Sequence, residues 1–168
     1  VIEELIGNKK IIVLLGAGGV GKTTSSVALA IRAAMLGKRV ALLSIDPAKR
    51  LAAALGIELG NELRPIKFPA ESGVSGSVSA AMLDQKIVFD SMVQKHSPNR
   101  KVADKILNHS IYQAASSNLG GPLEYMALAK LRELAVDSKF DLVVLDTPPD
   151  THALDFLATN SYIYKRHL

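Results

Sequence analysis

The 168-residue chain has no cysteine. Disulfides, thiolate metal sites and cysteine nucleophiles are therefore excluded within these residues. It also lacks the run of about 18 continuous apolar residues that a membrane-spanning helix needs. Its first residues do not follow the basic, apolar, small-residue order of a signal peptide, so a cytoplasmic location is expected. Long charge runs are missing as well. The net charge is +4, and the basic pairs Lys9-Lys10 and Lys38-Arg39 are scattered, which favours a solvated surface over a nucleic-acid or membrane patch. No internal repeat is visible.

What the chain does have is the material for an ordinary folded domain: 48% hydrophobic and 21% charged residues in 17.9 kDa. Ile11 to Leu15 is an unbroken apolar run of strand length that ends at glycine. Such a run suits a parallel strand covered on both faces. Val27, Leu29, Ala30, Ile31, Ala34 and Met35 then mark a helix starting near Lys22, with Gly37 and the basic pair after it as a stop. Val40 to Ser44 reads as a second strand, completing a βαβ unit with a right-handed crossover. Phe140 to Leu145 reads as a third strand, again followed by aspartate.

Between the second and third strands only Ile66 to Phe68 resembles a strand, and Ser72 to Ser79 reads as a flexible Gly/Ser loop. The remainder predicts helices over Ala80 to His96, Arg100 to Asn108 and Pro122 to Asp137, with Pro98 and Gly120-Gly121-Pro122 as breaks. Met82, Phe89, Met92 and Val93 form a stripe on the first of these. A core stripe is favoured over an apolar client-binding face. The expectation is a doubly wound, mainly parallel α/β sheet flanked by helices. It forms one domain over 1–168, incomplete at its C-terminus, with a helical insertion at about 72–121.

Gly16-Ala17-Gly18-Gly19-Val20-Gly21-Lys22-Thr23 satisfies the pattern GxxxxGK[ST] between a predicted strand and a predicted helix. Glycines let backbone N–H groups close around phosphate oxygens, and the following helix directs its positive end at the same anion. Lys22 suits the β- and γ-phosphates and Thr23 a Mg²⁺ ion, while Thr24 suits a more distant phosphate. Asp146 closes an apolar strand where such sites hold Mg²⁺ directly or through water; otherwise it caps the next segment. Asp46 would lie on the same carboxyl edge of the sheet, to orient or deprotonate water or to reach the metal through water. Its simpler reading is an Asp-Pro turn that starts a helix.

Three blocks, GAGGVGKTT at 16–24, DPAKRL at 46–51 and DTPPDTHALDFL at 146–157, resemble the ArsA family of ATPases, as does PLEYMALAKL at 122–131. That family includes arsenite-pump ATPases and ATPases that deliver tail-anchored membrane proteins, within a wider group containing MinD and ParA. The resemblance implies a P-loop ATPase that uses ATP/ADP and Mg²⁺. It makes Asp46 the water-activating residue and Asp146 the Mg²⁺-linked residue. The two later blocks become nucleotide-sensitive switches, with Pro148 to His152 moving. It further implies a homodimer and a protein or membrane-protein client seated on the helical insertion.

The chain departs from the family pattern at Ala17, where an extra lysine usually reaches across the dimer. Activation by that lysine is excluded, and Lys49 or Arg50 becomes the candidate for the missing positive charge. The lack of cysteine removes both thiolate metalloid binding and a zinc clasp at the dimer interface. Two other readings compete: a positioning ATPase of the MinD/ParA type, and a nucleotide-binding regulatory module with little turnover.

Overall fold

A computed structural model describes residues 2–46, 50–118 and 122–148. In chain order the elements are α1 (Ile2–Asn8), β1 (Ile11–Leu14), α2 (Lys22–Met35), β2 (Arg39–Ser44), α3 (Arg50–Leu55), β3 (Arg64–Pro65) and β4 (Ser77–Met82). They continue with α4 (Gln85–His96), α5 (Arg100–Leu107), α6 (Ser110–Asn118), α7 (Pro122–Val136) and β5 (Leu142–Asp146). Among the described residues one sheet forms in the order β1-β5-β2-β4-β3, parallel throughout except for the two-residue β3.

Alternation along the central strands builds two cores. Val40 and Leu42 of β2, with Leu142 and Val144 of β5, pack against Ala30, Ala33 and Ala34 of α2 and Leu51 of α3. Ala41 and Leu43, with Val143 and Leu145, face Ala127, Leu131 and Leu134 of α7. Both faces are therefore covered, as an aliphatic parallel sheet requires. Helix α2 ends as expected near Gly37: the Lys38 and Gly37 amides donate to the Ala33 and Ala34 carbonyls, closing the last turn.

The structure departs from the expectations at several points. Strand β5 lies between β1 and β2 and pairs with both. Strand β1 is consequently paired on one side only among the described residues, and its side chains are half-buried rather than enclosed. The stretch taken as a loop and a helix start, from Ser72 to Met82, contains β4, paired residue for residue with β2 from Arg39↔Ser77 to Ser44↔Met82. The helical insertion placed at about 72–121 therefore begins only after this strand. Met82 belongs to β4 and leaves the proposed helical stripe, in which Met92 is exposed.

The small residues before β4 serve close packing. The Gly76 amide donates to the Ala34 carbonyl at the end of α2, and a Cβ on Gly76 would lie 2.1 Å from the Lys38 carbonyl oxygen. Helix α4 starts at Gln85 because the Asp84 carboxylate accepts the Ile87 amide as an N-cap. Pro98 follows Ser97, which is extended as a residue before proline should be, and Asn99 caps α5. Helices α1 and α6 were not foreseen. No strand forms over Ile66 to Phe68; the two-residue β3 lies just before it, at Arg64–Pro65.

Candidate functional site

The carboxyl ends of β1, β2 and β5 meet the N-terminus of α2 around a cleft of about 340 Å³ lined by Gly19, Gly21, Lys22, Thr23, Thr24, Asp46, Arg50, Ala54 and Thr147. The loop from Gly16 to Gly21 turns through positive φ at Gly16 (154°), Gly19 (79°) and Gly21 (83°), backbone that side chains with a Cβ rarely tolerate. Ala17, Gly18 and Val20 lie exposed on the rim between them. The Lys22 ammonium folds back over the loop, donating to the carbonyls of Gly16 (2.7 Å) and Ala17 (2.9 Å).

The two carboxylates have different surroundings. Asp146 is wholly buried, and its Oδ2 accepts hydroxyl hydrogens from Thr23 (2.8 Å) and Ser44 (3.2 Å), while Oδ1 has no partner. Burial pushes its carboxyl above the ordinary carboxylate range. The Thr23 and Ser44 hydroxyls oppose that shift, neighbouring Asp46 adds to it and Lys22 opposes it. Asp46 is 3% exposed, and its Oδ2 takes a hydrogen bond from the Arg50 guanidinium at 2.8 Å.

Ser44 joins the two acids. Its hydroxyl donates to Asp146 and accepts the Asp46 amide (3.2 Å). Beside them the Thr147 hydroxyl donates to the Leu14 carbonyl (2.7 Å), tying the end of β5 to the end of β1. Neither residue is among the site residues expected from the sequence: Ser44 shows there only as a hydroxyl closing an apolar strand, and Thr147 only as a member of the DTPPDTHALDFL block. The structure gathers Lys22, Thr23, Thr24, Asp46 and Asp146 at one strand edge, with Pro148 two residues beyond Asp146. Pro47 to Lys49 and everything from Pro149 onward, including His152, lie outside the described residues.

The donor set suits Mg²⁺. A buried carboxylate with one unpartnered oxygen sits against the threonine hydroxyl that opens α2, beside a glycine cradle fit for phosphates. Among the described residues no group of three or more His, Asp or Glu side chains gathers around a point.

The family described as anion-transporting ATPase matches residues 9–166. The chain is 32% identical over 145 residues to ATPase get3 of Schizosaccharomyces pombe, covering 84% of this chain and 40% of that protein. It is 31% identical over 150 residues to ATPase GET3 of Malassezia globosa, covering 89% and 42%. With the arsenical pump-driving ATPase of Escherichia coli it shares 33% identity over 151 residues, covering 84% and 24%. It thus spans less than half the length of these relatives. The match over nearly the whole chain, on a sheet edge carrying a phosphate loop and two acids, makes this chain a member of the ArsA family of anion-transporting ATPases.

Proposed function

We propose that the cleft binds ATP with Mg²⁺ and hydrolyses it to ADP and phosphate. The observation that carries this reading is the meeting of Thr23 Oγ1 and Asp146 Oδ2 at 2.8 Å, next to the unpartnered Asp146 Oδ1 and the Gly16 to Gly21 loop. Backbone amides from Gly16 to Thr24, with the positive end of α2, hold the phosphates. Lys22 leaves its loop carbonyls for the β- and γ-phosphate oxygens, to which an ammonium is drawn more strongly than to neutral carbonyls. Thr23 and Asp146 hold the metal, Asp46 at most through water. When bound, Mg²⁺ supplies charge neutralisation at the phosphate oxygens.

Asp46 orients the attacking water as the bond from the γ-phosphorus to the bridging oxygen breaks and that to the water oxygen forms. Such a reaction asks mainly for positioning and charge stabilisation. Pro148 borders the nucleotide. The family resemblance couples turnover to the segments 46–51 and 146–157, of which 47–49 and 149–157 lie outside the described residues.

A homodimer, a cytoplasmic location and a protein or membrane-protein client follow from the family resemblance. Among the described residues no helix is long and apolar enough to cross a membrane. Half-exposed Ile87 and Met92 on α4 and Val102 and Ile106 on α5 support a client face on these helices.

Phosphate release by wild type, Lys22→Ala and Asp46→Asn, with Mg²⁺ and with chelator, tests the reading. Each substitution should lower turnover by about a hundredfold or more, and chelation should abolish it. Turnover unaffected by Asp46→Asn removes the assigned mechanism. A wild type that binds nucleotide with scarcely any turnover would favour the regulatory-module reading, to which the Arg50 hydrogen bond on Asp46 lends support.

A further inference from the structure

Among the described residues the cleft is lined by two cationic side chains, Lys22 and Arg50. Lys22 belongs to the phosphate loop. Arg50 comes from a different element, the first residue of α3, and its guanidinium is engaged with the acid assigned to water. One end of this pair is buried and the other is not: Asp46 is 3% exposed and the Arg50 side chain 55%. The arginine is thus anchored on a buried carboxylate while half of its side chain stays accessible beside the phosphate loop. A guanidinium is a fork of several N–H donors, matched to carboxylate and phosphate oxygens alike.

Competition for that fork follows from charge. An Asp46 oxygen that accepts from Arg50 is already engaged and is the poorer acceptor for a water proton. The terminal phosphate of a nucleoside triphosphate carries more negative charge and more acceptor oxygens than one carboxylate, so it is the stronger partner. A diphosphate brings no group to the same place.

We propose that Arg50 is a γ-phosphate-binding residue, which transfers from Asp46 to the terminal phosphate of a bound nucleoside triphosphate and so gives up its hydrogen bond to Asp46 Oδ2. This rests on the ATPase reading of the cleft. The exchange couples recognition of the third phosphate to the state of the hydrolytic carboxylate. It also supplies, from within the same chain, a second cation at the phosphate that Ala17 cannot provide.

The test is a binding titration on the full chain with two Mg²⁺-loaded nucleotides, a nonhydrolysable ATP analogue and ADP. Arg50→Ala alone would also remove a guanidinium from a buried carboxylate, so the decisive pair is Asp46→Asn against Asp46→Asn/Arg50→Ala, in which that position is neutral. Removing Arg50 should weaken the ATP analogue by about tenfold or more and leave ADP within about twofold. In the wild-type background Arg50→Lys, which keeps the charge but loses the fork, should retain part of the preference for triphosphate over diphosphate.

An unchanged affinity for the ATP analogue overturns the proposal. So does an equal loss for both nucleotides, since Arg50 would then shape the cleft without reading the third phosphate. Failure of the wild type to bind either nucleotide sinks the ATPase reading itself, and this proposal with it.

Discussion

Val40 to Ser44 of β2 and Leu142 to Asp146 of β5 are buried without exception, whereas Ile87, Met92, Val102, Ile106 and Ile111 on α4, α5 and α6 are 37% to 71% exposed. The strands are pinned from four directions: a strand on each side and a helical layer on each face. Helices α4 to α6 hold one another partly by polar contacts. Asp90 of α4 accepts from Lys86 (2.8 Å) and from the Tyr112 hydroxyl of α6 (2.7 Å). Burial of the Tyr112 phenol, aided by that bond, lifts it to about 12, so it stays a donor at any physiological pH. The contrast separates closely packed strands, whose ends hold the cleft residues, from a helical surface that still carries exposed apolar area.

The largest effect should come from cutting into the sheet. Leu142→Ala removes a side chain with no exposed surface between two strands and α2, and should cost about 2–5 kcal/mol in a urea titration. A loss under about 1 kcal/mol would show that this core yields easily and would break the contrast.

A middle-sized effect should come from the site the sheet holds. Asp146 has its carboxyl raised above the ordinary range chiefly by burial. The folded protein therefore binds a proton that the unfolded chain releases, and stability rises as pH falls from the raised folded value toward the unfolded one. In the absence of nucleotide and metal, Asp146→Asn should be more stable than wild type at pH 7 by about 1 kcal/mol. That gap should close on acidification. Asp141, held well below the carboxylate range by hydrogen bonds from the Arg39 side chain and amide, acts oppositely, losing its contribution only as pH falls below its unfolded value. Since it is common to both proteins it cancels in the comparison. A gap that stays constant from pH 7 to pH 4 would show that the Asp146 charge is not the cause.

The smallest effect belongs to the helices. Ile111→Ser alters a residue 71% exposed and should change stability by no more than about 0.5 kcal/mol. A larger loss would mean that this face is covered in the native protein, which sharpens the case for a partner there.

The same contrast shows what could be read in advance. The phosphate loop, β1, β2, β5 and α2 were legible because their cues are local: glycines at a set spacing, aliphatic runs of strand length, a glycine stop. Strand β4 was not. Ser77, Ser79, Ala80 and Ala81 have little preference for strands, and the segment is one only because β2 binds its whole length while the turn from α2 into β2, at Gly37 and Lys38, leaves room for no larger residue than Gly76. The paired roles of Ser44 and Thr147 were equally hidden, since each becomes meaningful only through a partner more than a hundred residues away.

By itself the sequence determined the local form of the loop to which phosphate binding is assigned, because GxxxxGK[ST] combines backbone freedom, a helix N-terminus and a lysine within eight consecutive residues. Tertiary structure alone decided that β5 inserts between β1 and β2, bringing Asp146 onto Thr23 and beside Asp46, and that Arg50 rests on Asp46. The physical reason is range. Loop geometry and helix charge act over a few bonds, whereas strand order and the burial of a carboxylate depend on which distant segments gain most by packing together.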